Sequence, residues 1–293
     1  MNEEDARFVA VALARRAGAE ARVLRVELRT GRILVELPSH VVWLALDPAG
    51  AARLAVERAV LGALAGRLPV AIPACVVHDE RACLRTKVVG QSGLDHHRRV
   101  MGDPALAHHH AVDLAGLFAA VHTALTPAER AQLVAAGLPT RAPLDRDDVA
   151  RAAGALDPDR RDRALALLDA QRLQVVSPAD CTFVHGDLGS HNIVVDAAGS
   201  ITGLFDFEES FEGDRHHDFR WMPSYGPAFL AAALDVYRRR TGAGVDVTRV
   251  RRIHALAALE QLGWGLRAPT EHVRTGRTLD ETRAWAEHAV DEN

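Results

Sequence analysis

The sequence predicts an α+β protein of two unequal lobes. A small five-stranded antiparallel lobe with one inserted helix spans 1–88, and a larger, mainly helical lobe spans 89–293. Three observations point there. Before residue 90, short valine- and leucine-rich runs alternate with turn residues. Beyond it, apolar residues recur at helical spacing. The chain has 293 residues, 48% hydrophobic and 25% charged, which is enough for two cores and ordinary for a folded globular protein.

The elements follow in order. Residues 5–17 suit a short helix. Runs at 21–28, 32–37 and 41–46 read as strands, with Thr30-Gly31 and Pro38-Ser39-His40 as the turns between them. Asp47-Pro48 opens a helix, because aspartate accepts from the first free N–H groups and proline suits the first turn. Its apolar stripe is Leu54, Leu61 and Leu64, with Glu57 on the same stripe, and Gly66 ends it. Two more strands follow at 74–78 and 82–89. Leu114, Leu117, Phe118, Val121 and Leu125 then make a helix face, and 146–172 forms one or two helices. Short apolar runs at Val184, 193–195 and 201–207 frame a turn at 197–200. Helices at 228–240, 248–263 and 278–289 complete the chain, the last opened by a capping box at Thr278 and Glu281. There are no internal repeats and no low-complexity linker. A cleft between the lobes is the expected ligand site.

A formal charge of -4 gives no basic field, so nucleic acid is excluded as the main partner. Three cysteines, Cys75, Cys83 and Cys181, form no CxxC pair and read as reduced thiols of a cytoplasmic protein. The acidic start has no basic segment before its apolar part, which argues against a signal peptide, and no apolar run reaches membrane-spanning length.

The chemistry concentrates in 183–209, FVHGDLGSHNIVVDAAGSITGLFDFEE. Asp187, Asn192 and Asp206 recur at a defined spacing between strand-like runs. Asn192 and Asp206 offer hard oxygen ligands, which suit Mg2+ rather than zinc. Asp187 would orient a hydroxyl nucleophile and accept its proton. Phosphoryl transfer asks for little else beyond cations on the phosphates. The spacing His185-Gly186-Asp187, four residues, then Asn192, with a later Asp206-Phe207, follows that of a kinase catalytic loop and its metal-binding aspartate.

Residues 184–196 together with 203–218 resemble the signature of the aminoglycoside phosphotransferase and choline kinase-like family of small-molecule kinases. The resemblance implies a two-lobed protein-kinase-like fold with Asp187 as catalytic base and Asn192 and Asp206 as Mg2+ ligands. His185 would brace the loop and Asp218 would anchor it. ATP or GTP would bind with its purine against the backbone of a hinge near 85–90, drawing on Arg85, Thr86 and Lys87. The substrate would be a small cationic hydroxylated molecule, and the protein a monomer or homodimer.

Two departures stand out. The family's third strand carries a cation for the nucleotide phosphates, paired with a glutamate on the inserted helix. Here that strand, 41–46, has no basic residue, and Lys87, the only lysine, falls at the hinge. Glu57 is thus expected to find an arginine or a backbone N–H, since a buried unpaired carboxylate is costly. The phosphate loop is reduced to Thr30-Gly31, so Arg29 and Arg32 become candidates for phosphate contact.

The acidic run Glu208, Glu209, Glu212, Asp214 and Asp218 suggests a substrate wall for a cation, with Glu260, Glu271, Asp280, Glu281 and Glu287 adding charge. His191 lies within the loop and is a candidate substrate contact. The loop form, the missing lysine and Ser224-Tyr225-Gly226 are similar to the viomycin and capreomycin phosphotransferases, which act on basic cyclic peptides. Streptomycin- or hygromycin-type aminoglycosides, a choline- or sugar-like metabolite, and a nucleotide-binding pseudokinase-like role stay open. The remaining histidine clusters at 96–97, 108–110 and 216–217 lack zinc spacing and are expected at the surface, and His122 in the core.

Overall fold

The computed structural model describes residues 2–29, 31–142, 144–272 and 277–293. Thr30, half of the expected first turn, and the Glu271 side chain lie outside the described residues. The chain opens with α1 (Glu3–Arg16), whose start is closed by a reciprocal box between Asn2 and Asp5. Strands β1 (Arg25–Arg29), β2 (Arg32–Glu36) and β3 (His40–Ala45) follow, then α2 (Pro48–Leu64), β4 (Cys75–His78) and β5 (Ala82–Thr86). They form one antiparallel sheet in the order β1-β2-β3-β5-β4. The five expected strands and the inserted helix are present, although β5 ends at Thr86 rather than 89. Strand alternation sends Ile33, Val35, Val42, Leu44 and Leu84 toward the α1 side. Trp43 and Ala45 point the other way, against Leu54 of α2.

Past the sheet come β6 (Gln91–Ser92), α3 (Gly93–Gly102), α4 (Pro104–Thr123) and α5 (Pro127–Ala135). The segment 146–172 resolves into two helices, α6 (Arg146–Gly154) and α7 (Pro158–Leu173), because Asp157-Pro158 caps and restarts the helix. Short strands β7 (Cys181–Val184), β8 (Ile193–Val195), β9 (Ile201–Leu204) and β10 (Phe211–Asp214) then alternate with 3₁₀ turns at Ser190–Asn192, Phe207–Glu209 and Arg215–Tyr225. Helices α8 (Pro227–Thr241), α9 (Val247–Arg267), α10 (Pro269–His272) and α11 (Leu279–Asp291) finish the fold. β7 pairs with β10, and β8 lies between β6 and β9. These two small sheets clamp both ends of the polar stretch.

The larger core joins α4 to α8 and reaches Val60, Leu61 and Leu64 of α2. Phe118, Phe183, Phe219 and Tyr237 are fully buried there. Each such side chain contributes about 1.5–3 kcal/mol through apolar burial. A second core joins α6, α7, α9 and α11. At their crossing Gly263 leaves no room for a Cβ against the Asp148 backbone. His96, His110, His216 and His217, expected at the surface, are buried instead. His216 is bonded to Asp214 and His96 packs edge-on against His110, so aromatic packing and hydrogen bonding absorb them. Among the described residues, no single helix is long and apolar enough to cross a membrane.

Candidate active site

The loop between β7 and β8 is fixed from below. Asp218, fully buried, accepts from the backbone N–H of His185 (3.0 Å) and of Gly186 (2.9 Å). His122 Nε2 lies 2.9 Å from the same carboxylate, and His122 Nδ1 lies 2.8 Å from the Tyr237 hydroxyl. Burial alone would raise the Asp218 carboxyl, but its hydrogen bond to His122 and the nearby His185 hold it below the usual range. Gly186 has φ +86°, and a Cβ there would collide with the Glu209 carbonyl. His185 braces the same turn, with Nε2 3.2 Å from the Phe205 carbonyl and Nδ1 accepting from the Asp187 N–H at 3.3 Å.

Asp187 is thereby presented with its carboxylate ringed by donors. Arg220 Nη2 (2.9 Å) and Trp221 Nε1 (3.0 Å) donate to Oδ1. Asn192 Nδ2 donates to Oδ2 at 2.9 Å, and His191 Nε2 lies 2.8 Å from the same oxygen. Burial pushes the Asp187 carboxyl up, but His191 and then Arg220 outweigh it and hold the group far below the ordinary range. His191 moves oppositely: burial lowers it, and the Asp187 charge and hydrogen bond raise it above its usual value.

Asp206 stands across from this cluster. The Phe205 N–H donates to the Asn192 carbonyl at 3.0 Å, which sets Asp206 beside Asn192 where β8 and β9 end. Asp206 has φ 63° and ψ 66°, the only non-glycine with positive φ among the described residues. Holding an aspartate there costs on the order of 1–3 kcal/mol. Its carboxyl is raised by burial and by the charges of Glu57 and Asp187, with Arg32 opposing. A strained carboxylate crowded by two others fits a cation. Asn192 spends its amide N–H groups on Asp187, so its Oδ1 is the ligating end. Among the described residues no three His, Cys, Asp or Glu side chains converge as a metal site. A magnesium ion held by Asn192 and Asp206 would draw its other ligands from phosphate oxygens and water.

On the sheet side, Glu57 forms a two-pronged ion pair with Arg85 of β5, at 2.6 and 2.8 Å, with both side chains buried. That supplies the arginine expected for Glu57 and commits the Arg85 guanidinium to α2. The Thr86 N–H donates to the Ala74 carbonyl and the Lys87 N–H to the Ser39 carbonyl, both at 2.9 Å, and the Lys87 ammonium pairs with Glu36. Those two hinge donors are therefore taken by the sheet. Arg29 bonds Glu27 (3.0 Å). Trp43, on the strand where a cation was missing, carries the Arg32 guanidinium over its ring at 4.1 Å, with Arg29 and Arg85 at 5.7 and 5.6 Å.

The acidic run is not assembled into a wall. Glu208 turns toward the sheet, pairing with Arg32 and with Arg53 Nε (3.2 Å). Glu212 pairs with Arg130 (3.2 Å) and faces Cys181, and Asp214 is held by His216 and Arg249. Only Glu209 of the three glutamates stays at Asp187, sharing Arg220 at 3.2 Å. About half of its side chain meets solvent, which tempers a rise to about 7 caused by desolvation and then by the Asp187 charge. Beside Arg220 a cavity of about 400 Å³ is lined by Arg141, Arg146 and Arg172 as well as by Glu260. Sequence reasoning missed Arg220 and the hydrogen bond from Trp221. Both come from a 3₁₀ turn more than 30 residues after Asp187, and no local pattern announces them.

The chain matches the family model described as the phosphotransferase enzyme family over residues 12–256. Its backbone is similar to an aminoglycoside 2'-phosphotransferase-IIIa solved with GDP, at 19% identity and TM-score 0.69, covering 98% of this chain and 99% of that one. It is also similar to the macrolide 2'-phosphotransferase MphH of Brachybacterium faecium, at 23% identity and TM-score 0.64, with 99% of each chain covered. An APH(2")-IIia enzyme solved with GDP and kanamycin superposes at 20% identity and TM-score 0.66, over 94% of this chain and 99% of that one. At these identities the structural likeness establishes the kinase-like fold. No curated protein matches the chain.

Proposed function

Since this chain belongs to the phosphotransferase enzyme family, we propose that it moves the γ-phosphate of ATP or GTP to a hydroxyl of an antibiotic, in the cytoplasm, with Mg2+ as cofactor. The observation that carries this reading is the convergence of Asp187, Asn192 and Asp206 at the mouth of one rigid loop. Asp187 receives the hydroxyl. Its low pKa makes it a weak base, so it orients the oxygen and takes the proton late, as the phosphoryl group departs its nucleotide. To admit the hydroxyl, one of its four donors must give way. His191, 39% exposed, is the one with room to move. Asn192 and Asp206 would hold the magnesium ion, which when bound neutralises phosphate charge. The division between lobes falls near residue 88, and the backbone of 88–90 is left to meet the purine.

The neighbours' substrates suggest two directions. A polycation would require the acidic wall that the chain does not assemble. Glu209 remains at Asp187, and the cavity beside Arg220 is lined by four arginines (Arg141, Arg146, Arg172, Arg220) against two carboxylates (Asp214, Glu260). This favours a hydroxylated substrate of low positive charge, of which a macrolide is one type, over a viomycin-like peptide or a multiply charged aminoglycoside. A pseudokinase-like role rests on Trp43 in place of a cation. One experiment separates these readings. The protein is incubated with ATP or GTP and magnesium and a panel of macrolides, aminoglycosides, viomycin, capreomycin and choline, and products are read by mass spectrometry. Addition of one phosphoryl group to a macrolide is expected. Nucleotide binding with no phosphorylated product across the panel would refute the enzyme.

A further inference from the structure

Outside the active site, one side-chain pair is unused by the chemistry above. Cys75 and Cys83 lie on neighbouring strands β4 and β5, with their sulfurs 2.7 Å apart. Cys75 is opposite Arg85, and a bulge follows it, since the register shifts between Cys75 and Val77. Cys83 is thus its diagonal neighbour on the same sheet face, and bulges draw such positions together. Both thiols are free. Cys83 is fully buried and Cys75 half-buried, so Cys75 is the more accessible residue of the two.

We propose that Cys75 and Cys83 form a redox-sensitive pair that closes reversibly into a disulfide when the protein meets a peroxide. The electron count is simple. Cys75, the more accessible of the two, attacks a peroxide oxygen through its sulfur as its proton passes to the Cys83 thiolate; it becomes a sulfenic acid, and the other oxygen leaves, protonated from solvent, as water or an alcohol. Cys83 returns that proton to solvent and attacks the oxidised sulfur as thiolate, the S–S bond forms, and hydroxide departs to be protonated to water. In all, two thiols lose two electrons and two protons, and the peroxide is reduced. The charge rests on Cys83, because the hydrogen bond between the sulfurs raises Cys75, with burial adding to that rise. Hydrogen bonding from Cys75 lowers Cys83 to about 7, with burial opposing and Arg85 assisting. The bond would form on the strand that presents Arg85 to Glu57.

The test needs no measurement of activity. The purified protein is treated with hydrogen peroxide, alkylated under denaturing conditions and digested with trypsin. Cleavage after Arg67, Arg81 and Arg85 places the two cysteines on separate peptides, 68–81 and 82–85. The expected product is these two peptides joined, lighter by two hydrogens, with Cys181 alkylated as before and the link lost after a thiol reductant. Cys75→Ser should leave Cys83 alkylatable. Recovery of both peptides alkylated, individually over-oxidised, or linked to Cys181 or between molecules would overturn the proposal. The readout is independent of phosphoryl transfer, so it stands or falls apart from the proposed activity.

Discussion

Asp187 is gripped by four donors, and that sets what its removal should do. Loss of a general base typically costs roughly 10²–10⁴-fold in rate. Asp187→Ala should lower kcat by that order and leave nucleotide affinity nearly unchanged, measured by single-turnover kinetics beside a nucleotide titration. His191 gives a pH signature. Its folded pKa is raised, so its contribution to stability is full below the ordinary value of about 6.5 and is lost as pH rises through the folded value. Wild-type melting temperature should therefore fall as pH rises from the ordinary histidine value through the raised folded value. In His191→Ala that fall should disappear, and an unchanged slope would contradict the pairing. At this scale the sequence was informative where residues are close in order. Asp187, Asn192 and Asp206 sit within one short segment whose strands force them together. Arg220 and Trp221 reach the same carboxylate from a distant turn, and Glu212, three residues from Glu209, faces away because β10 alternates its side chains.

Two elements depend on local geometry that substitution should expose. Gly186→Ala places a Cβ on the Glu209 carbonyl at a positive φ. It should destabilise the protein by more than about 1 kcal/mol and remove activity with it, as followed by urea unfolding and turnover on one sample. The buried pair between α2 and β5 behaves differently. Glu57→Leu strands the Arg85 charge and should cost about 3–5 kcal/mol. The double replacement Glu57→Leu with Arg85→Met removes both charges and should recover most of that loss in the same denaturation assay. The strands and the inserted helix were legible because alternation and an Asp-Pro cap are local signals. The partner of Glu57 was not, since Arg85 lies 28 residues further on and reaches α2 only because β5 lies next to β3.

Across the whole molecule, Glu208 on the metal-ligand side bridges to Arg32 and Arg53 on the sheet and α2. If Arg32 serves as a phosphate contact, nucleotide phosphates must compete with that carboxylate for it. Glu208→Gln should therefore lower the nucleotide KM several-fold, and Arg32→Ala should raise it. Because the bridge is only partly buried, added salt should weaken it and narrow the difference between Glu208→Gln and wild type. A nucleotide KM unchanged in both variants would remove Arg32 from the phosphate site. The missing lysine was visible in the sequence, but the Arg32 guanidinium laid over Trp43 was not, because it comes from another strand. That indole has an optical consequence. A tryptophan under a guanidinium has an emission that responds to the cation above it. In a protein whose other tryptophans, Trp221, Trp264 and Trp285, are changed to phenylalanine, Trp43 becomes a resident fluorophore, and a change in its emission on adding nucleotide is the outcome expected if the phosphates draw Arg32 away.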